Sequence, residues 1–490
     1  MTRDLDSPRA KNIALILLAM TQFVVVIDAS IVNVALPSMG TALGISQDDL
    51  SWVVNAYTLT FGGFLLLGGR LADFLGRRRM FIVGMALFSL ASLLGGFAQS
   101  EAWLNGARAA QGLGAALISP AALSIITTTF AEGAERNRAL GVWGAVAGAG
   151  GAVGVLLGGF LTEYLSWRWV LFVNVPIGLF LVYQAPRRLK ESTSGEEEER
   201  TFDLPGAFTV TAGLALLVFA LVDAESAGWT STATILRLAG AAILLAAFVV
   251  IELRSRRPLV PFSIFNLRTL RGANVVALLV GMSLFSMFFL ITLYLQQVLG
   301  QSAIEAGLSY LPLSALIIIS AGVGSQLVNR IGFKHTLIAG MLFVAAGLGW
   351  FTQISAPGGS YVADVLGPSM LAAIGLGLSF VSVTIAAMTG TTPQQAGLAS
   401  GLINTSQQVG GALGLAILVS VANTVSSDAF ASGVSDPTVA LTEGFQDAFT
   451  VGACFALAGA LLAALLLSSR DSREHAEAAR RGEAPATATG

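Results

Sequence analysis

Apolar residues in this chain gather in long blocks separated by short polar joints, with none of the strict alternation that marks half-buried strands. A helix rising about 1.5 Å per residue needs about 20 mostly apolar residues to cross a bilayer. Fourteen such blocks can be read, at 13–36, 52–72, 80–98, 102–124, 138–162, 167–184, 205–222, 233–253, 271–297, 305–328, 336–354, 361–388, 401–423 and 447–468. Backbone groups in hydrocarbon must bond within their own segment, so each block predicts a helix, and the missing alternation argues against a barrel. The first block follows Arg3, Arg9 and Lys11, yet it is too long for a signal-peptide core and lacks a small-x-small cleavage site. It reads as a retained span.

Cations set the orientation. With a cytoplasmic N-terminus, 24 of the 27 Lys and Arg residues fall on one side; the exceptions are Arg108 within a span and Arg168 and Arg237 near outer ends. Joints 38–51, 298–304, 354–360 and 424–446 hold no Lys or Arg. This asymmetry predicts an even number of spans with both termini in the cytoplasm.

Composition narrows the function classes. Only 11% of the 490 residues are charged, against roughly 25% in an ordinary soluble domain. A net charge of −2 offers no basic face for nucleic acid. One cysteine, Cys454, excludes a disulfide framework, and two histidines, His335 and His475, make a multi-histidine site unexpected. There is no Gly-x-x-x-x-Gly-Lys-Ser/Thr run and no soluble domain to hold one, so neither nucleotide nor any other cofactor is expected.

A shift of 256 residues lays 325–335 (SQLVNRIGFKH) on 69–79 (GRLADFLGRRR), matching Leu327 with Leu71, Asn329 with Asp73, Gly332 with Gly76 and Lys334 with Arg78. The same shift brings spans 1–6 over spans 9–14 and leaves two unmatched. The chain therefore reads as an all-α integral membrane protein of 6 + 2 inserted + 6 helices: a six-helix bundle at 1–190, a linker with two inserted spans at 191–265, a second bundle at 266–470, and a cytoplasmic tail at 471–490 expected to be disordered. The acidic stretch Glu196–Glu199 reads as a solvated linker. Parallel halves around a midplane site are a transporter architecture.

Two charges lie well inside spans, Asp28 in the first and Arg108 in the fourth. Each costs about 2.5–3.5 kcal/mol at the bilayer centre on insertion scales and so points to function. Counted along their oppositely directed helices, both fall at similar height in the outer half, within reach of a shared cavity. A carboxylate under the opposed influences of burial and a nearby arginine is suited to proton coupling.

The joint after span two carries Gly69, Asp73, Gly76, Arg77 and Arg78. Gly76 supplies a permissive tight turn, and Asp73 at a helix C-terminus opposes the dipole, so it wants a cation or another helix's N-terminus. A cytoplasmic gate is expected there. Gly141, Gly150, Gly154, Gly158 and Gly159 line span five, where small residues permit close packing at a seam between the halves. Asn33, Asn55, Tyr57, Gln111, Gln296, Tyr310, Asn404 and Gln407 face no obvious loop, and part of a substrate cavity is expected among them.

These segments resemble a known family. IDASIVNVALP (27–37), GRLADFLGRRR (69–79), ARAAQGLGAA (107–116), SWRWVLFVNVPIG (166–178) and GLASGLINTSQQVGGALG (397–414) are similar to motifs of the major facilitator superfamily, specifically its fourteen-span drug/proton antiporters. The resemblance implies that Asp28 and Arg108 couple protons and that the span-five glycines form the antiporter motif, which departs at Val155 where the family usually has proline. It implies a monomeric, non-enzymatic exporter in the cell membrane, with protons, the lipid bilayer and a small amphipathic drug or antibiotic as partners. The alternatives weighed against export are a proton-coupled uptake carrier and a non-transporting membrane sensor.

Overall fold

A computed structural model describes residues 7–45, 47–50, 52–193, 203–255, 258–392 and 395–481. The Glu196–Glu199 linker falls outside them. The long helices are α1 (Pro8–Leu43), α2 (Trp52–Leu75), α3 (Arg77–Gly96), α4 (Glu101–Thr129), α5 (Ala134–Tyr164), α6 (Asn174–Arg188), α7 (Leu204–Ala227), α8 (Thr232–Arg254), α9 (Arg268–Leu293), α10 (Leu311–Ile331), α11 (Phe333–Phe351), α12 (Gly367–Met388), α13 (Ala396–Ala431), α14 (Pro437–Leu466) and α15 (Ser469–Arg481). No strand occurs among the described residues.

Each of the fourteen predicted spans falls on one of α1–α14. Thirteen are long and apolar enough to cross a membrane within the described residues. The remaining one, α5, is 31 residues long and runs unbroken through Val155. Several helices outrun their apolar blocks. At 36 residues, or about 54 Å, α1 is longer than the hydrocarbon is thick. Capping sets its ends: the Ser7 hydroxyl accepts from Ala10 N ahead of Pro8, and Gly44 closes the helix at φ 66°. Joint 424–446 is largely helix, shared between α13 and α14, because water beyond the membrane tolerates a polar helix and Asp436 caps Pro437–Leu466. The tail departs from expectation too. Instead of being disordered, it forms α15 through Arg481, with Ala476, Ala478, Ala479 and His475 buried; residues 482–490 lie outside the described residues.

Packing repeats between the halves. In the first, α1 lies on α5, α2 and α3 on α4, and α3 on α6; in the second, α9 lies on α13, α10 and α11 on α12, and α11 on α14. Adding eight to each helix number converts one set into the other. The seams between the halves obey the same rule, α5 against α10 on one side and α13 against α2 on the other. Gly76 and Gly332, matched by the 256-residue shift, both take left-handed backbone at φ 107° and 85°. Only glycine adopts that conformation without strain. The inserted pair α7 and α8 packs together, and α7 lies on both α2 and α13, covering that seam.

Candidate functional site

Asp28, midway along α1, is fully buried against α4. Its Oδ2 accepts from Arg108 Nη1 at 2.6 Å, and its Oδ1 accepts from Gln111 Nε2 at 2.9 Å and Asn174 Nδ2 at 2.7 Å. Arg108 and Gln111 share one face of α4 at i, i+3 spacing, and Gln111 Oε1 accepts from Arg108 Nη1 at 3.0 Å. The guanidinium also donates from Nε to Val53 O at 3.0 Å and lies 4.5 Å above the Tyr57 ring. Ser92 Oγ takes a further donor from Gln111 at 2.7 Å. Arg108 Nη2 has no acceptor among the described residues.

Five helices of the first half thus contribute to one cluster around the Asp28–Arg108 pair. Neither charge of the pair touches lipid or solvent. Removing one partner of such a pair leaves an uncompensated buried charge and costs about 3–5 kcal/mol. Sequence reasoning did not single out Asn174 and Ser92. The signal for Asn174 was its place as the one amide in the apolar stretch WVLFVNVPIG.

At the cytoplasmic ends, Asp73 is fully buried and bridges the halves. Its Oδ1 accepts from Arg77 Nη2 at 2.8 Å and Gly397 N at 3.1 Å, and its Oδ2 accepts from Leu398 N at 3.0 Å. These amides open α13, so the carboxylate has both a cation and the positive end of a helix dipole. Glycine is required on both sides: a Cβ on Gly397 would stand 2.4 Å from Asp73 Oδ1, and one on Gly69 would stand 2.5 Å from Gly397 O. The neighbouring turn is tied to the chain beyond α6. Arg77 N donates to Ser192 O at 3.1 Å, and Arg78 N donates to Glu191 Oε1 at 3.1 Å. Phe74 carries the Arg70 guanidinium 4.4 Å over its ring, and Arg70 Nη2 donates to Pro258 O at the foot of the insert.

The span-five glycines divide between two partners, which corrects the expectation that all of them line the seam. A Cβ on Gly141 would meet Ser325 of α10 at 2.9 Å, and one on Gly159 would meet Ile304 at 3.1 Å, both in the other half. Gly150, Gly154 and Gly158 face Val26, Ser30 and Ile31 of α1, inside their own half. The reason is helical phase: at about 3.6 residues per turn Gly141 and Gly159 return to one face, whereas Gly150, Gly154 and Gly158 fall on the opposite side of the helix.

The expected cavity residues do not assemble as a set. Tyr57 and Gln111 belong to the Asp28 cluster. Tyr310 is buried, stacks on Phe288 and donates to Phe288 O at 2.8 Å, tying α10 to α9. Asn404 bonds within its own helix to Ser400 O, Asn33 is exposed, and Asn55, Gln296 and Gln407 are half-buried. No hydrogen bond joins any of these to another among the described residues. Between α1 and α5, on the cytoplasmic side of Asp28, lies an apolar groove of about 550 Å³ walled by Leu15, Met20, Phe23, Val142 and Val146.

The model described as the Major Facilitator Superfamily matches residues 18–415. The chain is 43% identical to the cephamycin export protein of Amycolatopsis lactamdurans, over 92% of both chains. It is 39% identical to the puromycin resistance protein of Streptomyces alboniger, over 92% of this chain and 90% of that one. Among solved structures, the human organic anion transporter MFSD10 aligns with a TM-score of 0.65 at 14% identity, over 93% of this chain and all of that one. The proton:xylose symporter XylE aligns at 0.66 and 13%, over 94% and 96%. At such identities the structural likeness speaks for the fold alone.

Proposed function

The chain belongs to the major facilitator superfamily, and on that premise we propose that it exports hydrophobic or amphipathic drugs, in exchange for protons, by alternating access. It is a multi-pass transporter of the cell membrane. Export direction and substrate class rest on the relatives, which are named for the export of, or resistance to, cephamycin and puromycin.

The observation that carries the coupling is the sealed Asp28–Arg108 pair. All three side chains bonded to Asp28 present N–H donors, the arrangement an ionised carboxylate accepts. A proton arriving on Asp28 removes the charge that Arg108 answers and makes the acid a donor among donors. The cluster then has to rearrange. Because its members come from five helices, that rearrangement tilts helices, which is how a local charge change drives a packed bundle between two states. In this reading, Asp73 on the N-terminus of α13 holds the cytoplasmic side closed in the state described. A protonmotive force near 180 mV supplies about 4 kcal/mol per proton, enough for roughly a thousandfold gradient.

The test is accumulation of a panel of antibiotics and dyes in a drug-sensitive host, with and without an uncoupler. Export lowers cellular ligand only while the proton gradient stands. Accumulation that rises with expression of the protein would reverse the direction, and export that persists through uncoupling would remove the proton.

A further inference from the structure

The two seams repeat each other in position and differ in chemistry. The 256-residue shift that carries Asp73 to Asn329 also carries Gly69 to Ser325 and Gly141 to Gly397. The contacts follow: Gly69 lies on Gly397 at one seam, and Ser325 lies on Gly141 at the other. Asp73 reaches the first turn of α13 through a carboxylate. Asn329 reaches the first turn of α5 through an amide, accepting from Asn137 Nδ2, while Ser325 Oγ donates to Asn137 O at 2.8 Å. The second seam therefore lacks the charge that secures the first.

A residue from the tail stands in its place. His475 of α15 is buried, with Nε2 at 2.9 Å from Asn137 Nδ2 and 3.1 Å from Asn137 Oδ1, and its ring meets Phe333 of α11 edge-on. The rest of α15 is fastened to the second half. Lys334 N donates to Ser472 Oγ at 3.1 Å, Lys334 Nζ donates to Leu467 O and Ser469 Oγ at 2.9 Å each, and Arg480 donates to Arg330 O. We propose that α15 is a cytoplasmic strap in which His475 completes a second latch between the halves, with Asn137 and Asn329, and that protonation of His475 unfastens it. The proposal rests on the alternating-access reading and assigns the tail a part in it.

Protonation is disruptive for a geometric reason. An imidazolium presents two N–H donors, and the buried Nδ1 of His475 has no acceptor among the described residues. Burial, then the positive charge of Arg136, hold its pKa down at about 4. The other charged groups on the elements around it are Glu132, bonded to Arg136, with Glu135 and Arg138 on α5, Arg330 on α10, Lys334 and the titratable His335 on α11, and Arg470, Asp471, Arg473, Glu474, Glu477, Arg480 and Arg481 on α15 itself. A free histidine titrates near 6.5. Docking of α15 is therefore at full strength above pH 6.5 and weakens as pH falls toward 4, by roughly tenfold at pH 5.5.

The experiment places spin labels at Arg138 and His335, both exposed, in a Cys454→Ser background of the full chain in lipid nanodiscs, and reads the distance distribution at pH 7.5 and 5.5. Labelling removes the other histidine, and the pH comparison is made in an Asp28→Asn background that silences the coupling acid, so a pH response reports His475. The expected result is a ratio of wide to narrow distances that rises about tenfold at pH 5.5. His475→Gln, which keeps an amide for Asn137 and cannot take up a proton, stays narrow at both values. His475→Ala, and truncation after Ser468, give the wide population at both. Truncation without effect, or a pH response surviving in His475→Gln, overturns the strap. If the untruncated chain shifts between two distances on adding a transported dye while all tail variants match it, the strap alone fails. One distance under every condition overturns both readings.

Discussion

Asn174 on α6 donates its side-chain amide to Asp28 Oδ1 at 2.7 Å, across 146 residues of sequence. With Gln111 on the same oxygen, it fixes how the carboxylate faces Arg108. A hydrogen bond to a charged, buried group contributes about 1.5–3 kcal/mol. Asn174→Ala should therefore reduce efflux by ten- to hundredfold with expression intact, and Asn174→Gln should recover part of it. Rates of dye efflux from energised cells check this. Wild-type rates in Asn174→Ala would make the amide a bystander to coupling.

The Asp73 latch predicts a separation of turnover from affinity. Asp73→Ala removes the anion from the α13 amides, and Gly397→Ala forces a Cβ to within 2.4 Å of the carboxylate. Each should slow transport about tenfold, against a net value of about 1.5–3 kcal/mol for charge-assisted bonds of this kind, while ligand binding stays within about twofold. Binding and flux measured on the same vesicles decide it. A loss confined to affinity would place Asp73 at the ligand and not at a gate.

Two glycines in α5 predict opposite outcomes. A Cβ on Gly158 would stand 2.8 Å from the carbonyl of Ile31, a backbone atom that cannot swing away, whereas no atom of the described residues lies within 4 Å of one on Gly151. Gly158→Ala should destabilise the protein by about 1–3 kcal/mol through overpacking, and Gly151→Ala should be neutral or stabilise it by up to about 1 kcal/mol. Thermal melts of the detergent-solubilised variants compare them. Equal melting temperatures would mean that α1 and α5 are not in close contact there.

Much of this was legible in the sequence, and what was not has a common cause. Hydropathy places a residue along the membrane normal, so the similar depths of Asp28 and Arg108 anticipated their meeting, and the dipole argument anticipated that Asp73 needs a cation or a helix N-terminus. Rotation about a helix axis leaves no trace in hydropathy once every face is apolar. For that reason Asn174 and Ser92 went unnoticed, Gly150, Gly154 and Gly158 faced α1 instead of the seam, and the cavity residues scattered. The tail was misread for a different reason. Its composition, SRDSREHAEAARR, is that of a solvated segment, and the stripe of small residues with His475 that docks it becomes meaningful only beside Asn137 and Phe333.

Proton movement is measured most directly in proteoliposomes with an imposed pH gradient, following ligand flux and internal pH together in the wild type and in Asp28→Asn. The wild type should move ligand against its gradient with protons flowing the other way. Asp28→Asn should insert and fold, bind ligand, and show neither concentrative flux nor ligand-dependent proton flow. Uphill transport at the wild-type rate in that variant would contradict the assignment of Asp28 as the coupling acid.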